Sequence, residues 1–301
     1  MSRKWIADFS LLLVAFIWGS TFVVVQSAIE TLPPFTFNGL RFLLAGIVLF
    51  ICLALFEKNK QWKKDISKGI ILGIFLFIAY AFQTFGLLFT TPAKSGFLTG
   101  LSVVMVPFLI YFFSKQKPSL SAVFGSILAG LGLFFLTSGH AQNFNIGDVL
   151  TIVCAFGFAF HIVYTDRFTH QSSILILTTI QLLTVSSLSF IGALLFEDWM
   201  APFQTNEFWS LNVIAGLLVT ALLATSAAFY IQTFSQRYTS PSRVAIILTM
   251  EPVFAALCSY LWIGEQLTFY AVMGGIFILI GMLCAEIPIP IVKKPRKKRT
   301  A

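Results

Sequence analysis

Charge is what this sequence has least of. Only 11% of its 301 residues are Asp, Glu, Lys or Arg, against roughly a quarter in soluble domains. With 57% hydrophobic residues and a mean hydropathy of +0.89, the chain cannot furnish a polar shell, and a soluble globular protein is excluded. Catalytic signatures are missing too. There is no Gly-x-x-x-x-Gly-Lys-Ser/Thr loop, so the chain does not hydrolyse ATP by itself. Nor is there a Gly-x-Ser-x-Gly elbow or a His/Glu zinc motif. We therefore expect neither an enzyme nor a cofactor or metal. The four cysteines (Cys52, Cys154, Cys258, Cys284) all fall in apolar runs, without metal-ligand spacing.

What the sequence has instead is long uncharged runs. A membrane-crossing helix needs about 20 predominantly apolar residues. Runs of that order occupy 9–29, 35–56 (with Arg41), 69–93, 95–114 and 118–147, the last ending in a polar loop. Five more cover 149–165, 171–196, 208–235, 244–263 (with Glu251) and 266–285. No segment alternates in polarity as a barrel strand does. The expectation is an all-α polytopic membrane protein of ten transmembrane helices. The first run is too long for a signal-peptide core and reads as a retained span.

The net charge of +8 acquires meaning from position. Lys and Arg accumulate in cytoplasmic loops. With alternate connections inside, 18 of the 20 basic residues fall on one side. The exceptions are Lys94 and Arg41. Both termini are thus expected in the cytoplasm, in a cell membrane. The basic tail, 293–301, suits anionic lipid headgroups; nucleic acid is not an expected partner.

An internal repeat runs through the chain. Gln83-Thr84-Phe85 and Thr90-Thr91-Pro92-Ala93-Lys94 return as Gln232-Thr233-Phe234 and Thr239-Ser240-Pro241-Ser242-Arg243, offset by 149. Gly125 and Gly132 return as Gly274 and Gly281 at the same offset. Five helices is an odd number, so the two copies enter the membrane in opposite directions. We place the first repeat at 1–140 and the second, inverted, at 141–292. Inverted repeats can exchange conformations about an axis in the membrane plane, which is the architecture of alternating access around a central cavity.

Polar groups at mid-membrane depth are the candidate substrate-binding residues. Glu251, beside Pro252, is an acid that must be protonated, paired or facing water. Pro252 removes a backbone donor near Leu248, as Pro107 does near Val103. Arg41 reads as a structural or snorkelling charge, or as an anion contact, at a depth differing from that of Glu251 by a turn or more. Trp18-Gly19-Ser20-Thr21 allows close helix approach and gives Trp18 and Ser20 to the cavity. Tyr80 and Gln83, Thr99 and Ser102, His161 and Tyr164, and Gln232 and Thr249 complete the set.

Trp18-Gly19-Ser20-Thr21-Phe22, Arg41-Phe42-Leu43-Leu44-Ala45, the proline in the fourth helix, Glu251-Pro252 and Gly264-Glu265-Gln266-Leu267 with Gly274, Gly275 and Gly281 together resemble the EamA-type, ten-helix transporters of the drug/metabolite transporter superfamily. The resemblance implies a carrier exporting amino acids or related small metabolites, in some members by exchange for protons. The alternative function is a membrane-embedded sensor or accessory scaffold that binds its ligand without moving it.

Overall fold

The computed structural model describes residues 3–57, 62–90, 92–115, 118–137, 145–258, 260–261 and 268–286. The basic tail and the Gly264–Leu267 motif lie outside them. Among the described residues the chain forms helices and no strand. In chain order these are α1 (Arg3–Thr31), α2 (Pro34–Phe56), α3 (Trp62–Gly86), α4 (Pro92–Gly100), α5 (Ser102–Ser114), α6 (Leu120–Thr137), α7 (Ile146–Thr169), α8 (Ile174–Phe196), α9 (Leu211–Ala221), α10 (Ala228–Gln236), α11 (Pro241–Leu248), α12 (Met250–Cys258) and α13 (Phe269–Glu286). Seven helical stretches are long and apolar enough to cross a bilayer, counting α9–α10 and α11–α12 as one each. Three shorter apolar helices, Leu98–Phe113, Leu120–Phe135 and Val272–Cys284, stand where the fourth, fifth and tenth spans were expected.

Helix ends follow local chemistry. Pro34 opens α2, where a missing N–H costs nothing. Asn145 and Asp148 form a reciprocal capping box on α7, and Ser173 caps α8. Two spans are interrupted: at Leu101 between α4 and α5, and at Thr249 between α11 and α12. The interruptions lie N-terminal to the prolines, and Pro107 sits inside a continuous α5. The α9–α10 span is broken differently, by a π turn over Leu222–Ala227.

Inversion of the repeats is visible in the packing. The matched helices α6 and α13 cross antiparallel: a Cβ on Gly132 would lie 2.6 Å from the Gly274 carbonyl oxygen, and one on Gly281 would lie 2.7 Å from that of Gly125. Shifting each residue by 149 converts one contact into the other. The helices α2 and α8 also run antiparallel, with Gly39 on Phe190, Gly46 on Leu183 and Gly192 on Phe35. The buried positions of α2 (34, 36, 37, 38, 39, 41, 42, 45, 46, 49 and 53) recur in α8 at an offset of 140.

Polar ties at both ends obey the same symmetry. Arg243 grips Asp8 through two bonds of 2.9 and 2.6 Å, and the Thr239 hydroxyl donates to the same carboxylate at 3.4 Å. At the opposite end the matched Thr90 hydroxyl donates to Asp148 at 2.9 Å. Glu197 accepts from the Phe35 and Thr36 backbone at the start of α2 (2.7 and 2.8 Å), while the matched Glu57 accepts from Ser173 at the start of α8. Each acid therefore joins one repeat to the other.

Candidate functional site

A cavity lies between the two repeats. Its walls carry matched residues from each: Gln83 and Gln232, Gly96 and Ala245, Gly100 and Thr249, Ser102 and Glu251, all at offset 149, with Trp18 and Phe158 at offset 140. It thus sits on the internal two-fold. Its lining reaches toward Val25, Leu87 and Gly96, near the ends of α1 and α3 and the start of α4. The other way it is stopped by a core that includes Leu11, Ala15, Val103, Val106, Val163 and Val244; past that core lies the Asp8–Arg243 pair.

The aromatic wall is built by fixed rings. Trp18 donates its indole N–H to the Ala224 carbonyl at 2.7 Å and packs on Phe229, 5.3 Å between centroids. Tyr80 stands edge-on to Phe42, Phe158 and Phe229. On the polar side, Gln83 donates to Thr99 Oγ1 at 3.2 Å. The Gln232 side-chain oxygen is buried without a partner.

Arg41 is only 3% exposed, so it does not snorkel. Its Nε donates to Thr225 Oγ1 at 2.6 Å and its Nη2 to the Ala224 carbonyl at 3.3 Å, while the guanidinium lies 5.1 Å from the centre of the Tyr80 ring. The π turn explains this arrangement. Widening the helix by one residue frees carbonyls from their usual partners, and Ala224 turns its own toward both Trp18 and Arg41. Thr225 in turn donates to Thr220 at 2.8 Å. Both Arg41 and Glu251 line the cavity, so the depth difference read from sequence does not separate them. The Glu251 carboxyl faces the same cavity and interacts electrostatically with Arg41 across it. Its backbone is pressed against α1, where a Cβ on Gly19 would lie 2.4 Å from the Glu251 carbonyl oxygen; only glycine fits there.

Of the residues singled out from sequence, Trp18, Tyr80, Gln83, Thr99, Ser102, Gln232, Thr249 and Glu251 come together on this cavity. Three do not. Ser20 bonds back to the Ile17 carbonyl at 3.0 Å. His161 is fully buried and meets Gln181 at 2.8 Å. Tyr164 packs at a tilt among Phe75, Phe113 and Phe168 and edges a separate pocket with Asp166 and Arg167. The reason is helical rotation: on α7 the cavity face is Phe158 and Ile162. Thr21 and Thr84 are wall residues that the sequence reading did not place there, and Arg41, read from sequence as a structural charge or an anion contact, also lines the wall. Among the described residues, no group of three His, Cys, Asp or Glu could hold a metal ion.

Two inverted helical repeats enclosing a polar and aromatic cavity on their symmetry axis define a multi-pass membrane protein of the transporter class. Comparison with known proteins gives the family. The EamA-like transporter family matches this chain twice, over residues 5–138 and 145–286, and the chain belongs to that family. It is 36% identical to an uncharacterized transporter of Archaeoglobus fulgidus, over 95% of this chain and 87% of that one. It is also 29% identical to the uncharacterized transporter YetK of Bacillus subtilis, over 87% and 83% of the two chains. A solved crystal structure shares the fold, with a TM-score of 0.77 at 17% identity, over 93% of this chain and 95% of the other.

Proposed function

We propose that this transporter moves amino acids or related small metabolites out of the cytoplasm by alternating access, with Glu251 as the acid that couples transport to protons. The observation that carries the reading is the cavity's position on the internal two-fold, with a carboxylate and an anchored guanidinium on its walls that feel each other's charge without touching. A substrate bearing an ammonium and a carboxylate meets a partner for each, and Trp18, Tyr80 and Phe158 offer apolar surface for a side chain. An acid in a low-dielectric cavity is free to change protonation as substrate enters and leaves.

The proposal places the protein in the cell membrane with ten crossings and both termini in the cytoplasm. The tail at 293–301 then lies against anionic headgroups. The test is efflux from cells loaded with dipeptides and flux in proteoliposomes, comparing wild type with Glu251→Gln. Flux in the wild type, with a pH dependence that the variant loses, is the expected result. Flux that keeps its pH dependence in the variant removes Glu251 from coupling. Ligand binding without flux under any gradient overturns the carrier reading and points to a sensor.

A further inference from the structure

The symmetry that relates the repeats leaves some cavity residues beside their own counterparts and pairs others with residues deep in the closed half. Thr21, Arg41, Tyr80 and Thr84 line the cavity. Their counterparts, at offsets of 140 for α1 and α2 and 149 for α3, are His161, Gln181, Phe229 and Thr233. All four counterparts are completely buried, and they lie together between α7, α8 and α10. His161 meets Gln181 at 2.8 Å and packs edge-on to Phe229.

This closed region is polar in a way that a permanent core is not. His161 Nδ1, Gln181 Nε2 and Thr233 Oγ1 have no hydrogen-bond partner. Gln236, the counterpart of the cavity residue Leu87, donates to the Ile162 carbonyl at 3.1 Å but leaves its own side-chain oxygen unpartnered. Buried polar atoms are nearly always paired, so a cluster of unpaired ones needs an explanation. Helix–helix packing does not supply one, since apolar residues would fill the space at no such penalty.

We infer that His161, Gln181, Thr233 and Gln236 are the latent second half of the binding site, closed in this conformation and opened to the cytoplasm when the repeats exchange shapes. The unpaired atoms are those that solvent and ligand reach in the opposite-facing state, as they reach the Thr21, Arg41 and Thr84 set here. The two halves offer different chemistry. The open half presents an ion, Arg41, while Glu251 and its counterpart Ser102 share the cavity; the latent half presents a neutral donor on Gln181 and acceptors on His161 and Gln236. It suits a small polar metabolite held by hydrogen bonds to amide, ammonium or hydroxyl groups.

The inference rests on the alternating-access reading, and the experiment separates the two. In a background with Cys52, Cys154, Cys258 and Cys284 replaced, Thr233→Cys and its counterpart Thr84→Cys are exposed to a membrane-impermeant methanethiosulfonate reagent. The reagent is applied from either side of sealed vesicles, and flux is measured in the same preparations. Thr84→Cys should react from the outside and Thr233→Cys from the cytoplasmic side. Arg243→Gln, which removes the tie to Asp8, should raise the second rate several-fold and lower the first. Thr165→Cys, at the counterpart of the cavity residue Val25, provides a second site if Thr233→Cys does not insert. Reaction at Thr84 with both inner sites inert, in vesicles that carry flux, overturns the latent half and leaves the carrier reading standing. Inert inner sites with no flux overturn both.

Discussion

Arg41 keeps a charge inside an apolar bundle by having two of its donors claimed before any ligand arrives. A guanidinium offers a rigid fork of N–H groups, and the π turn supplies the hydroxyl and carbonyl that fit it. Lysine has no fork, so Arg41→Lys keeps the charge but loses the paired contact. We expect it to cost about 1.5–3 kcal/mol, the range for hydrogen bonds to charged groups, read from thermal unfolding of the purified protein. Trp18→Phe should cost less, about 0.6–1.7 kcal/mol, because the ring still packs on Phe229 and only the bond to Ala224 is lost. At this scale the sequence was partly legible. A polar or aromatic residue at mid-membrane depth stands out, and Trp18, Tyr80, Gln83 and Glu251 were visible for that reason. Depth does not give rotation about the helix axis, which packing decides. His161 and Tyr164 were accordingly assigned to a face that Phe158 and Ile162 occupy.

Helix crossings show how closely the two repeats are fitted. At Gly132 and Gly281 an added Cβ would meet backbone oxygen of the partner helix at 2.6 and 2.7 Å, so α6 and α13 would have to separate. Valine at either position should destabilise the protein by about 1–3 kcal/mol. The two costs should also be nearly equal, since symmetry makes the sites the same. Gly96→Ala is the control. Its Cβ would approach nothing closer than 3.8 Å, and the change in stability should stay within about 0.5 kcal/mol. Chemical denaturation of the three variants in one detergent provides the comparison. The glycine pairs were legible because small residues repeated at one spacing are a packing signal. The π turn was not: Leu-Leu-Ala-Thr-Ser-Ala contains no proline or glycine to mark it. The Leu101 and Thr249 interruptions were foreshadowed only loosely, since the prolines sit downstream of them.

At the scale of the whole molecule, ties at both ends hold one repeat to the other. Asp8 and Arg243 are both nearly buried, and removing one partner strands the other charge. Arg243→Gln should therefore cost about 3–5 kcal/mol, and the exchanged pair Asp8→Arg with Arg243→Asp should recover part of it, as followed by thermal unfolding. A fluorescent protein fused at the carboxyl end should fold and fluoresce, whereas alkaline phosphatase fused there should stay inactive, as a cytoplasmic terminus requires. The later three spans of each repeat could be matched from sequence because side-chain identities recur. The first two recur at a different offset, 140, where a few identities such as Asp8 and Asp148 or Leu55-Phe56-Glu57 and Leu195-Phe196-Glu197 persist but the cavity residues do not: Arg41 corresponds to Gln181 and Trp18 to Phe158. The break in register has a structural cause. Glu57 and Trp62 correspond to Glu197 and Leu211, so the second repeat carries nine more residues between these points. They add a short 3₁₀ helix, Ala201–Gln204, and a cluster of rings from Trp199, Phe203, Phe208 and Trp209. A perfectly two-fold machine would divide its time evenly between its two faces. Among the described residues this aromatic cap has no counterpart in the first repeat, and each 1.4 kcal/mol by which it favoured one state would skew the populations tenfold. In the proposed alternating-access cycle this rim would bias the resting state, and trimming it would rebalance the two faces without touching the cavity.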